Sequence, residues 1–193
     1  MAAITPAQLA NITPAQISLI GGVHHEMGQY NNMIAALGTN ISGLSAAALG
    51  ALSATQVDKL SGAQVAALGD KVAFLSAAAI GSLDALQVDS LKAADVSALG
   101  AKVSSLSAAA AASLDATQMA AMGARVGDLS AGALASLTAA QVAAVAPANL
   151  AALTAAQLGA LTAAGVDGLS AAQVTALGAK VGSLSALAVA FSR

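Results

Sequence analysis

Apolar residues recur along most of this chain with alternating spacings of five and three, as at Leu153, Leu158, Leu161, Val166 and Leu169. The period is an octad. Position 1 is apolar, position 2 is a small or capping residue, position 5 is often Gln, and position 6 is the second apolar residue. On one continuous α-helix, eight residues advance by about 800°, so the apolar stripe would rotate by roughly 80° per octad and soon encircle the helix. The chain is therefore predicted to turn within every octad.

The same phrase is repeated about twenty times from Leu37 onward, with clear copies beginning at Leu52, Leu60 and Leu169. A unit of eight residues is too small to bury its own apolar face, so it becomes stable only by stacking on its neighbours. The pattern predicts an all-α solenoid built from very short, capped helices.

Positions 2 and 3 predict where each helix begins. Ser or Thr at position 2 and Gln at position 5 form a capping box, in which the two side chains satisfy free backbone N–H groups at the helix start. Pro6, Pro14 and Pro147 all occupy position 3, the first helical residue, where a missing N–H costs nothing. Examples are Thr138–Gln141, Thr154–Gln157 and Ser170–Gln173, and Asp84 and Asp115 are further caps.

A β-solenoid is the alternative fold, because its coils would also be short and rich in Gly and Ser. The abundance of Ala, Leu and Gln and the scarcity of β-branched residues outside position 6 favour helices.

A longer period lies above the octads. Five units are one residue shorter and carry Gly at position 2, and one such heptad with three octads makes a block of 31 residues. The Gly is predicted to supply a sharper bend, and the basic residue at position 4 of these heptads is interpreted as a solubilising charge. The heptads begin at Leu37, Leu68, Leu99, Met122 and Leu177, and their basic residues are Lys71, Lys102, Arg125 and Lys180.

The Gln residues at position 5 would form rows if the units stack regularly. Two interpretations remain open for them: a partner for the cap at position 2, or an amide ladder between units.

Residues 1–36 are predicted to form a distinct N-terminal segment ahead of a solenoid at 37–193. Two octads are followed by Gly21-Gly22, after which Val23, Met27, Tyr30 and Ile34 have the spacing of one amphipathic helix. This segment is the least repetitive part of the chain, so it is a candidate for capping or assembly.

The chain is not predicted to be an enzyme. His24, His25 and Glu26 are adjacent, and a metal site needs three or four convergent ligands, commonly two of them at i and i+4 on a helix. No metal, cofactor or catalytic residue is predicted, because no nucleophile elbow, phosphate loop or carboxylate pair accompanies these side chains.

Composition narrows the range of partners. The net charge is −2 and only 8% of the 193 residues are charged, so no concentrated basic surface for nucleic acid is expected. The chain is 58% hydrophobic, yet polar residues interrupt every octad, so no transmembrane segment is predicted. The first residues have neither a basic region nor a continuous apolar core, so no Sec-type signal peptide is visible.

Runs such as Leu137-Thr-Ala-Ala-Gln-Val-Ala-Ala and Leu153-Thr-Ala-Ala-Gln-Leu-Gly-Ala resemble the octapeptide-repeat tracts of large bacterial surface or secreted repeat proteins. The resemblance covers nearly the whole chain except residues 20–36. It implies a structural protein in a bacterial, extracellular or cell-surface setting, with a cytoplasmic location as the alternative, and it carries over no functional residue.

These observations predict a structural protein whose partner is itself, in a filament or sheet-like homopolymer. A uniform rod with apolar ends favours association. The alternatives are a module that binds ice, a polysaccharide or an apolar surface, and an adhesin fragment. The candidate assembly residues are Val23, Met27, Tyr30, Ile34, Leu184, Leu187, Val189 and Phe191.

Overall fold

The structure is a computed structural model that describes residues 4–19 and 33–184. This part of the chain is all-α and contains no strand, so the β-solenoid alternative is wrong. Its helices are only four to seven residues long, as the octad predicts. The α-helices are α1 (Pro6–Leu9), α2 (Pro14–Leu19), α3 (Met33–Ala36), α4 (Ala46–Gly50), α5 (Ala54–Asp58), α6 (Gly62–Leu68), α7 (Ala77–Gly81), α8 (Ala85–Asp89), α9 (Ala93–Ala98), α10 (Ala108–Ala112), α11 (Ala116–Met122), α12 (Ala131–Ala135), α13 (Ala139–Ala144), α14 (Pro147–Ala151), α15 (Ala155–Ala160), α16 (Ala163–Val166) and α17 (Ala171–Leu177). The 3₁₀ helices are η1 (Gly38–Gly43), η2 (Gly69–Phe74), η3 (Gly100–Ser105), η4 (Gly123–Asp128) and η5 (Gly178–Ser183).

The predicted caps are present. The backbone N–H of Thr138 donates to Oε1 of Gln141 at 2.8 Å, and the backbone N–H of Gln141 donates back to Oγ1 of Thr138 at 3.3 Å. Asp84 and Asp115 cap α8 and α11 in the same manner. Helices this short are marginal in isolation, so these bonds and the packing described below are what hold them.

Each of the five heptads forms a 3₁₀ helix rather than an α-helix, which the sequence pattern did not predict. Each heptad glycine has a positive φ; Gly100, for example, has φ 56°. A residue with a Cβ is strained in that conformation. The heptad is one residue shorter because the tighter 3₁₀ turn closes the unit with fewer residues.

Helices pack on units three places away along the chain. Helix α8 contacts α6 and α10, and α11 contacts α9 and α13. Helix α9 contacts η2, and η3 contacts η4, with the same separation of three units. The packing period is therefore three units, shorter than the four-unit block that the heptads mark in the sequence.

The core consists of the two apolar positions of each unit. Leu91 and Val96 of one octad are 4% and 1% exposed, and Leu99 of the following heptad is 3% exposed. Where position 5 is Ala, that side chain is fully buried as well, as at Ala79 and Ala110. These side chains form one apolar cluster to which units along the described chain contribute, as expected for a repeat that buries its side chains against its neighbours.

Val174 departs from this rule. It occupies position 6, yet 42% of it is exposed. The unit three places later would begin at residue 192, beyond the described residues, so no described helix packs over it.

The first two octads pack as ordinary units. Helix α1 contacts η1, and α2 contacts α4. In addition, Nδ2 of Asn40 donates to the carbonyl oxygen of Ile4 at 2.7 Å. When α3 is counted as the unit directly after α2, each of these contacts joins two units that are three apart. The packing period of three units therefore also holds for α1 and α2, although residues 20–32 do not follow the sequence repeat.

Candidate assembly interface

Position 5 carries the chemistry that joins the units. The Gln173 side chain is 1% exposed. Its Oε1 accepts from the backbone N–H of Ser170 at 2.8 Å, as a cap partner. Its Nε2 donates to the carbonyl oxygens of Val142 and Val145 at 2.8 and 2.7 Å. The cap interpretation is therefore confirmed. No glutamine amide bonds to another within the described residues; instead, the amide that caps its own helix bridges to backbone carbonyls of units three and four places earlier.

This two-carbonyl bridge recurs through the chain. In four bridges the acceptors are the apolar residue at position 6 of one unit and the first residue of the next, 27 to 31 residues before the glutamine. Gln64 instead donates to Ile34 and Gly38, and Gln157 donates to Gly127. The bridges run from Gln87 to Val57 and Leu60, from Gln118 to Val88 and Leu91, from Gln141 to Ala111 and Leu114, and from Gln173 to Val142 and Val145.

In three heptads a lysine replaces the glutamine. The ammonium of Lys102 donates to the carbonyl oxygens of Ala73 and Leu75 at 2.6 and 2.7 Å. Lys71 and Lys180 make the equivalent pair of bonds. These lysines therefore do more than the solubilising role interpreted from the sequence, because their ammonium groups bind backbone carbonyls of earlier units. Arg125 differs, since it pairs with Asp128 at 3.1 Å on the surface.

The predicted assembly residues fall into two groups. Ile34 is 1% exposed and Leu184 is 6% exposed, so both belong to the core of the single chain. The remaining six lie outside the described residues, as do His24, His25 and Glu26: Val23, Met27, Tyr30, Leu187, Val189 and Phe191.

An open apolar depression lies at the C-terminal end of the described chain. It has a volume of about 650 Å³ and is lined chiefly by apolar side chains around Val174. Leu184 contributes to its wall although little of that side chain is exposed. The lining residues are Val166, Asp167, Leu169, Ala171, Val174, Thr175, Val181 and Leu184.

The opposite end presents a different surface. Ile4 is 49% exposed and Leu19 is 76% exposed. Gln8 and Gln16 are exposed as well, in contrast to the buried glutamines of the interior. Residues 4–19 contain no charged side chain. Both ends of the described stack thus expose apolar groups, and one of them also exposes amides.

The described residues offer no site for a metal or a membrane span. Within residues 4–19 and 33–184, no three His, Asp or Glu side chains come together in a way that would hold a metal ion. No helix in this part of the chain has both the length and the apolar character needed to cross a bilayer.

Comparison with known proteins adds no relative. No protein-family model, no curated protein and no solved structure matches the chain.

Proposed function

We propose that this chain is a structural repeat protein, a solenoid of short helices that assembles with copies of itself into a filament or sheet-like homopolymer. The observation that carries the proposal is the exposure of Val174 within an apolar depression at one end of the stack. In the interior of the chain, the residue equivalent to Val174 is buried beneath a later unit. The exposed Val174 therefore marks one side of an interface that recurs between units, with its other side missing.

The energetics favour a partner for this surface. Burial of apolar area contributes about 25 cal/mol per Å². Apolar patches rimmed by polar groups commonly mark interaction sites. Within the chain, the same kind of surface is covered by a unit three places further along, which supports a second copy as the partner.

The absence of concentrated chemistry among the described residues agrees with a structural role. Their buried polar side chains are committed to caps and bridges, such as Gln87 and Gln118, and their lysines bind backbone carbonyls in three heptads. The proposed setting is the bacterial cell surface or the extracellular space, on the strength of the octapeptide-repeat resemblance.

Negative-stain electron microscopy of the purified chain tests this function. Filaments or sheets are the expected result. Isolated short rods over a wide range of protein concentration would contradict self-assembly and would favour the surface-binding module instead.

A further inference from the structure

Gln8 and Gln16 make only half of the bonds that interior glutamines make. Their Oε1 atoms accept from the backbone N–H groups of Thr5 and Thr13, each at 2.8 Å, which is the cap. Their Nε2 groups donate to no acceptor within the described residues, and both side chains are exposed. Two bridge donors are therefore left over at this end of the stack.

The matching acceptors are left over at the other end. Val166 and Leu169 occupy the positions that Val142 and Val145 hold in an interior unit, where both carbonyls accept from Gln173. No side chain in the described part of the chain donates to the carbonyl oxygen of Val166 or Leu169, and the same holds for Val174 and Leu177 one unit later. Val166, Leu169 and Val174 also line the apolar depression.

The two sets have the same spacing. Gln8 and Gln16 are separated by one octad, and so are Val166 and Val174 as well as Leu169 and Leu177. Residues 4–19 carry no charge, so the docked segment would bring no charged side chain of its own to the joint, and the one charged residue in the lining of the depression is the exposed Asp167. The donors at one end and the acceptors at the other thus repeat with the same spacing of one octad, so both donors can meet their acceptors when the apolar surfaces dock.

Building on the proposed self-assembly, we propose that a second copy of this chain docks head to tail on the depression. The Gln8 amide of that copy donates to the carbonyls of Val166 and Leu169, and its Gln16 amide donates to those of Val174 and Leu177. The joint repeats between two copies the bridge that Gln173 makes within one. Such a contact joins two different surfaces, so it does not close on itself and extends into a filament.

Two variants each disable one side of the joint. Gln8→Glu/Gln16→Glu keeps the cap acceptors, since Glu also completes a capping box, but removes both amide donors. Val174→Lys places a charge in the depression. Asn11→Asp is the control for a negative charge on the donor side, and Leu86→Lys, at a side chain that is 75% exposed, is the control for a lysine elsewhere.

The test measures polymer size by sedimentation velocity for each variant alone and for an equal mixture of the two disabled variants. Each disabled variant is expected to be a folded monomer, and the controls are expected to polymerise. The mixture is expected to form a dimer and nothing larger, because it contains one intact donor side and one intact acceptor side.

A second readout covers the case in which a variant does not fold. The chain has no cysteine, so Gln16→Cys and Val174→Cys, made in separate chains, are expected to give a disulfide-linked mixed dimer on oxidation. Disabled variants that still polymerise, with no mixed disulfide, would overturn the head-to-tail joint but leave self-assembly standing. An intact chain that stays monomeric would overturn the proposed function as well.

Discussion

Gln87 and Leu60 are 27 residues apart in sequence, yet Nε2 of Gln87 donates to the carbonyl oxygen of Leu60 at 2.7 Å. The same amide reaches the carbonyl of Val57 at 2.9 Å, and its Oε1 accepts from the backbone N–H of Asp84 at 2.9 Å. One buried side chain therefore determines both where its helix begins and which earlier units it joins. Because a helix of one to two turns is unstable alone, this coupling explains how such short helices form a single body.

Gln87→Glu separates the two roles. The carboxylate still accepts from the cap but cannot donate, so two buried carbonyls lose their partner and face a negative charge. We expect a loss of about 2 kcal/mol or more in the free energy of unfolding, measured by urea denaturation. Asn149→Asp is the matched control, since it makes the same amide-to-carboxylate change at position 5 of a unit whose amide forms no bridge within the described residues, and its cost should stay within about 0.5 kcal/mol. Equal stability of the two variants would contradict a stabilising bridge.

Asp95 occupies position 5, but its carboxylate has no N–H group with which to donate a bridge. It is 4% exposed, and its Oδ2 accepts from the backbone N–H of Lys92 at 3.0 Å. Gln87 at the same position donates to carbonyls 30 and 27 residues earlier. A glutamine in place of Asp95 would therefore face the carbonyls of Val65 and Leu68. Asp95→Gln is therefore expected to raise the free energy of unfolding by about 1 kcal/mol, the net contribution of a typical hydrogen bond.

Asp95→Asn is the control for this gain, because it removes the charge but leaves the side chain one methylene shorter. A thermal denaturation series should place the Gln variant above both the Asn variant and the original chain. A Gln variant no more stable than the Asn variant would show that the bridge does not extend to this unit.

The heptad glycines can be tested without steric interference. A Cβ added at Gly100 would meet nothing within 4 Å, so the cost of Gly100→Ala comes from its φ of 56° alone. We expect a destabilisation of about 1 to 2 kcal/mol. Gly182 also has open space around it but no positive φ, so Gly182→Ala should be neutral or slightly stabilising. Chemical denaturation of both variants gives the comparison, and an equal effect would exclude a backbone cause.

The heptad lysines are expected to stabilise the fold. Lys102→Met keeps most of the aliphatic chain but removes two charge-assisted bonds to Ala73 and Leu75. The expected loss is about 1 to 2 kcal/mol. Arg125→Met removes a surface pair with Asp128 and should cost less than about 0.5 kcal/mol. If both variants unfold at the same urea concentration as the original chain, the lysines serve solubility after all.

The helix starts could be predicted because they depend on local chemistry. Caps and prolines act within four residues, so Thr138, Gln141 and Pro147 are sufficient to place α13 and α14. The octad likewise located the core at Leu153 and Leu158, which are 1% and 0% exposed.

The stacking could not be predicted because it depends on residues far apart in sequence. The heptads mark a four-unit block, whereas contacts follow a three-unit period that is decided by how sharply each short helix turns. The bonding partners of Lys102 and Gln173 follow from that period, so their roles were missed or left open. The recurrence of Gln at position 5 of many octads and of Lys at position 4 of three heptads was the available signal. The exposure of Val174 likewise depends on which unit covers it, and periodicity alone does not show where that cover is missing.

The most direct test of the central claim is sedimentation velocity of the intact chain across a hundredfold range of protein concentration. Self-assembly predicts a weight-average sedimentation coefficient that rises continuously with concentration. A single species with the mass of one 18.2 kDa chain at every concentration would contradict it.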